Sequence, residues 1–117
     1  MMTRSNFKME NKNITMTRGD TLSFGVEILD QDDTPLDIET AFFTCKKNPT
    51  NEINVFKKAI GAGITRMDAG QYTVRVAPED TASIEAGKYF YDLQVGLNSD
   101  VFTVMKGVLE IEQDVTG

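Results

Sequence analysis

The side chains in this sequence that could do chemistry are one thiol, a surplus of carboxylates and a set of lysines and arginines. Histidine is absent from all 117 residues. Its absence removes the commonest general base, the commonest metal ligand and any Ser-His or Cys-His pairing. Cys45 is followed by Lys46-Lys47, and neighbouring ammonium groups lower a thiol pKa. A lone thiol in an apolar strand with no base beside it is, however, the pattern of a small core residue. No two carboxylates stand out as a pair for general acid and base work on a glycosidic bond. The expectation is a chain that is not an enzyme and has no catalytic, metal-binding or cofactor-binding residues.

Five short features admit a functional and a plainer reading. Asp30, Asp32 and Asp33 resemble the start of a calcium loop, but Thr34-Pro35 stands where a further oxygen ligand and a glycine are needed. A solvated turn is the better reading. Arg18-Gly19-Asp20 spells an integrin-type tripeptide, while Gly-Asp ahead of a strand is also what a tight turn requires. Asn13-Ile14-Thr15 satisfies the glycosylation pattern, yet Met1–Asn6 is polar and opens no secretion signal. Gly61-Ala62-Gly63 lacks the third glycine and following helix of a phosphate cradle. The pairs Lys46-Lys47 and Lys57-Lys58 flank one loop and could form a local basic patch; on a net-negative chain the better reading is that they keep a strand edge soluble.

The bulk numbers fit one domain. A hydrophobic share of 40% and a charged share of 26% are ordinary for a globular chain. With one cysteine no disulfide can form within the chain. A net charge of −6 argues against binding nucleic acid or an anionic membrane by charge alone. No apolar run approaches the length of a membrane span. The expected site of synthesis is a reducing cytoplasm.

What must position any site is a set of strands. Leu22, Phe24, Val26 and Ile28 alternate with small or polar residues, as a half-buried strand requires. Tyr72, Val74 and Val76 repeat the pattern, and Tyr89, Tyr91, Leu93 and Val95 give its cleanest instance, all directed inward. Further strands are expected over Ala41–Lys46, Ile53–Phe56, Val101–Met105 and Val108–Gln113, with a turn at Lys106-Gly107. Pro78–Glu85 is the one helical prospect, with Pro78 at its first turn, acids at its positive end and Gly87 at its exit. Residues 1–12 are expected to form a flexible arm and 13–117 the folded domain. Seven to nine short strands with one short helical connector predict an all-β sandwich or small barrel.

Apolar residues on the wrong face are the most informative feature. Neither face of Val101-Phe102-Thr103-Val104-Met105 is polar, Phe43 opposes Phe42, and Phe90 opposes Tyr89 and Tyr91. Outward Phe43, Phe90, Val101 and Met105 are therefore the predicted protein interface. Internal cover by the 78–87 segment or the N-terminal arm is the competing reading.

Several stretches together resemble a known family. Asp68-Ala69-Gly70-Gln71-Tyr72-Thr73-Val74, the connector Pro78–Gly87 and Lys88-Tyr89-Phe90-Tyr91-Asp92-Leu93-Gln94-Val95 resemble Ig-like domains of bacteriophage tail and baseplate proteins. So do Ile14–Thr21 at the start and Val104–Ile111 with Asp114-Val115-Thr116 at the end. The resemblance spans about residues 13–116. It implies an immunoglobulin-like β-sandwich without a cofactor, made in the bacterial cytoplasm and carried in a virion or prophage-encoded particle. Its partners would be other virion proteins and copies of itself, met through apolar burial and edge-strand pairing. The alternative is a module that recognises a glycan or host-surface molecule, which needs exposed aromatic platforms.

Overall fold

Tyr89, Tyr91, Leu93 and Val95 lie on one side of an eleven-residue strand and are all buried, as their spacing predicts. That strand is the spine of a nearly all-β chain, described over residues 7–50 and 53–115 of a computed structural model. The strands are β1 (Glu10–Asn11), β2 (Ile14–Thr17), β3 (Leu22–Glu27), β4 (Thr40–Lys46) and β5 (Phe56–Ile60). They continue as β6 (Gly63–Asp68), β7 (Gln71–Val76), β8 (Gly87–Leu97) and β9 (Asp100–Glu112). One helical turn, α1 (Pro78–Thr81), links β7 to β8. Pro78 sits at its start, and the Asp80 carboxylate reaches back to accept the Ala77 N–H at 2.7 Å.

The strands form one sheet in the order β1-β9-β8-β4-β5-β6-β7-β3, with β2 also paired to β9. The join of β5 to β6 is narrow, with only Ala59↔Gly63 and Ile60↔Ile64 paired. There the sheet curls back on itself. Phe24 on β3, at the far end of the path, meets Phe43 on β4 with ring centroids 5.6 Å apart. Phe43 also touches Tyr91 at 5.1 Å and Phe56 at 6.2 Å. The core thus lies between two limbs of one sheet, with Phe43 at its centre and fully buried. This corrects the expectation that Phe43 faces outward; its neighbour Phe42 does, at 37% exposure.

The last hairpin differs from its prediction in two ways. β8 and β9 are joined by Asn98-Ser99, both at positive φ (54° and 70°), the geometry of a two-residue hairpin turn. From there β9 runs unbroken through Lys106-Gly107, so no turn divides it. The register slips between Leu93/Gln94 and their partners Met105/Thr103, leaving Val104 as a bulge. A bulge inserts one residue and reverses the alternation beyond it. Val104 and Met105 are therefore both buried, at 6% and 4%, which corrects the outward placement of Met105.

The arm is also more than a tether. Phe7 is buried and packs on Phe102 with centroids 4.7 Å apart. Glu10–Asn11 and Ile14–Thr17 pair in parallel with β9. Residues 7–12 thus belong to the fold rather than to a flexible arm, and internal cover by the arm is the fate of Phe102. Residues 1–6 of that expected arm lie outside the described residues.

Candidate interaction face

Antiparallel pairing puts cross-strand neighbours on the same side of a sheet, so the register fixes what surrounds the outward residues of β8. Phe90 stands between Lys46 of β4 and Val108 of β9. Asp92 stands between Thr44 and Lys106, and Gln94 between Phe42 and Thr103. The Lys57 ammonium lies 4.5 Å over the Phe42 ring, a cation–π contact that half-covers that aromatic.

Between these rows runs an open groove of about 420 Å³. Phe90 and Val108 form its apolar floor, Lys46, Asp92 and Lys106 its charged side, and Pro49 part of its rim. Asn11 and Asn13 form the other rim, on either side of Lys12, where the chain passes from β1 to β2 against Gly107. Lys12 N–H donates to the Lys106 carbonyl at 2.9 Å, and Asn13 Oδ1 accepts the Val108 N–H at 3.0 Å. Burial pushes the Asp92 carboxyl above its usual range, against the opposing pull of Lys46 and Lys106.

Of the four residues predicted for an interface, Phe90 lies in this groove at 36% exposure. Val101 is outward at 67% but pairs with Gly96, near the hairpin tip. Gly96 lies six positions along β8 from Phe90, about 20 Å along a strand. Phe43 and Met105 are in the core, so the four do not converge. Sequence reasoning missed Val108, Lys46, Asp92 and Lys106. Val108 carried a signal, its two-residue step from Lys106 and Glu110 on one face, but a turn at Lys106-Gly107 hides it.

The other motifs resolve into structural roles. Cys45 is fully buried, and burial pushes its thiol up to about 12. Burial thus outweighs any lowering by the adjacent lysines; Lys47 instead stacks over the Tyr89 ring at 4.5 Å. Asp30 Oδ1 accepts the backbone N–H groups of Asp32 and Thr34 at 2.8 and 2.9 Å, and Lys8 pairs with Asp33. The aspartate cluster thus caps its own turn. Arg18-Gly19-Asp20 is a turn with Gly19 at φ 81°. Arg18 is held by Asp114 at 2.8 Å, and Gly19 N–H donates to the buried Thr81 hydroxyl at 2.8 Å. Among the described residues no three His, Cys, Asp or Glu side chains converge, and no helix is long and apolar enough to cross a membrane.

No protein-family model matches this sequence, and no curated protein matches it.

Proposed function

We propose that the chain is a non-enzymatic structural module of a bacteriophage or prophage particle, in its tail, baseplate or decoration. It binds protein neighbours through the outer face of β4, β8 and β9. The observation that carries the binding role is the open Phe90–Val108 groove, an apolar floor flanked by lysines on a chain of charge −6. Apolar area ringed by charged residues is what a protein interface offers.

An immunoglobulin-like sandwich is the architecture we assign. Two features support it beyond the resemblance of residues 13–116. β3, β7 and β6 make one limb, and β5, β4, β8 and β9 the other, with β2 added in parallel to β9. At the β7–β8 corner, Tyr89 donates its hydroxyl to the Glu85 carbonyl at 2.6 Å. A tyrosine at that corner bonded a few residues upstream is a recurrent pin of such sandwiches. Tyr72, Tyr89 and Tyr91 are all buried, which leaves a glycan reader without tyrosine platforms.

Particles purified from the producing strain test both halves. Wild-type chain is expected in them, and a Phe90→Ser/Val108→Ser variant is expected to fold but to be depleted. Particles without the wild-type chain would remove the particle reading. Full retention of the double variant would remove the outer face as the contact.

A further inference from the structure

The sheet ends at β3, the last strand of its path. Its geometry follows from the ladder with β7. The register runs Leu22↔Val76 to Glu27↔Gln71, and Ile28 N–H continues it by donating to the Gly70 carbonyl at 2.7 Å. In an antiparallel ladder alternate residues exchange both bonds with the same neighbour. Residues 22, 24, 26 and 28 therefore turn their backbone to β7, and Ser23, Gly25 and Glu27 turn theirs away. Leu29, next in that alternate set, uses its carbonyl to accept the Lys8 N–H at 2.9 Å. The arm thus docks just beyond the end of β3, with Phe7 bridging Asp30 and Lys8 bonded to Leu29, then departs to pair Glu10–Asn11 with β9. Among the described residues nothing bonds the outward groups of Ser23, Gly25 and Glu27.

The departure leaves a cleft of about 640 Å³ lined by Lys8, Glu10 and Lys12 on one side and Gly25, Val26 and Glu27 on the other. Natural edges are usually blunted by lysine, proline or a bulge. β3 has none of these, and Glu27 is its sole charge. Gly25 sits mid-strand with nothing within 4 Å of where a Cβ would stand, and a glycine there marks a place where a second backbone can approach closely.

We infer that β3 pairs antiparallel with β3 of a second copy of this chain, about a two-fold axis at Gly25. The edge is self-complementary in that register. Gly25 meets Gly25, Ser23 meets Glu27, and Phe24 meets Val26 on the core side. All three outward residues then find partners, and no two glutamates face each other. A two-fold at Phe24 would strand Glu27, and one at Val26 would strand Ser23. Such an isologous contact deepens the assembly role proposed above, on a surface separate from the β8 groove. A six-residue edge pair falls short of the roughly 1,200 Å² of a stable complex. The pairing is therefore weak in dilute solution and favoured by the local concentration of an array.

Cysteine cross-linking reads the register directly. Paired Cα atoms at the axis lie about 5.5 Å apart, within disulfide reach, and native Cys45 is buried. Under mild oxidation Gly25→Cys is expected to form a dimer, faster at higher protein concentration. Ser23→Cys mixed with Glu27→Cys should cross-link, and neither alone. Sedimentation of the parent chain should show mass rising with concentration; Gly25→Lys places two ammonium groups at the axis and should abolish that rise, with unchanged melting. A Gly25→Cys chain that stays monomeric, or Ser23→Cys that cross-links alone as readily as the mixture, overturns the pairing. Adding Phe90→Ser/Val108→Ser should leave the Gly25→Cys dimer intact, so failure of the groove and failure of the edge are separable.

Discussion

The Tyr91 hydroxyl donates to the Lys12 carbonyl oxygen at 2.5 Å, and it does so beside Gly107, its own cross-strand partner. A Cβ on Gly107 would stand 2.1 Å from that same oxygen. One carbonyl therefore explains two residues: a tyrosine long enough to reach it and a glycine small enough to admit it. Together they seat β1 and β2 against β9 and build one rim of the groove.

Removing either member loosens that seat by a different route. Tyr91→Phe leaves the carbonyl without its donor and should cost about 1–2 kcal/mol in urea unfolding. Gly107→Ala forces the backbone of Lys12 to move and should cost about 1–3 kcal/mol or more. Both should speed amide exchange over residues 10–16 more than in β7. Gly25→Ala, where a Cβ meets open space, should stay within about 0.5 kcal/mol of the parent.

Alkaline pH should destabilise the fold in a defined window. Burial raises the Cys45 thiol from 9.0 to about 12, and burial, aided by the charge of Glu10, raises Tyr91 from 10.0 to about 12. Both groups keep their proton longer when folded than when unfolded. The folded state thus binds more protons across these intervals, and stability falls as pH rises. It is complete below about pH 9, declines as Cys45 and then Tyr91 ionise in the unfolded chain, and bottoms out near pH 12. Urea midpoints across this range check the slope; Cys45→Ala should delay the onset towards pH 10.

The same burial makes Cys45 a reporter of opening. An aromatic disulfide reagent at neutral pH should leave the folded chain unlabelled and react at once in denaturant. Labelling of the native protein at the rate of a free thiol would contradict the burial of Cys45.

Much of the fold was legible because two-residue alternation is a direct imprint of a half-buried strand. β3, β4, β7 and β8 fall within a residue or two of where their patterns put them. The groove was not legible, because it depends on which strands are neighbours. Lys46, Phe90 and Val108 are far apart in sequence and meet only through register. Phe42-Phe43 shows the same limit: either ring could face the core, and only the curl that brings β3 over β4 selects Phe43. Phe43→Ala should cost about 3–5 kcal/mol, whereas Phe42→Ala should cost under about 1 kcal/mol.

The run Val101–Met105 misled for a different reason. Strict alternation must send either Val104 or Met105 outward, and the sequence contains no local signal for a bulge between them. With Val104 inserted between Thr103 and Met105, both side chains turn into the core while Thr103 and Lys106 keep the outer face. Val104 should therefore behave as a core residue despite its place in an apparently two-faced strand. Val104→Ser should cost about 2–3 kcal/mol, since it loses buried apolar area and buries a hydroxyl. Val101→Ser, at 67% exposure, should change stability by less than about 0.5 kcal/mol. Thermal melts of the two variants decide the matter: equal costs would mean that the alternation continues through Val104 and that the bulge is absent.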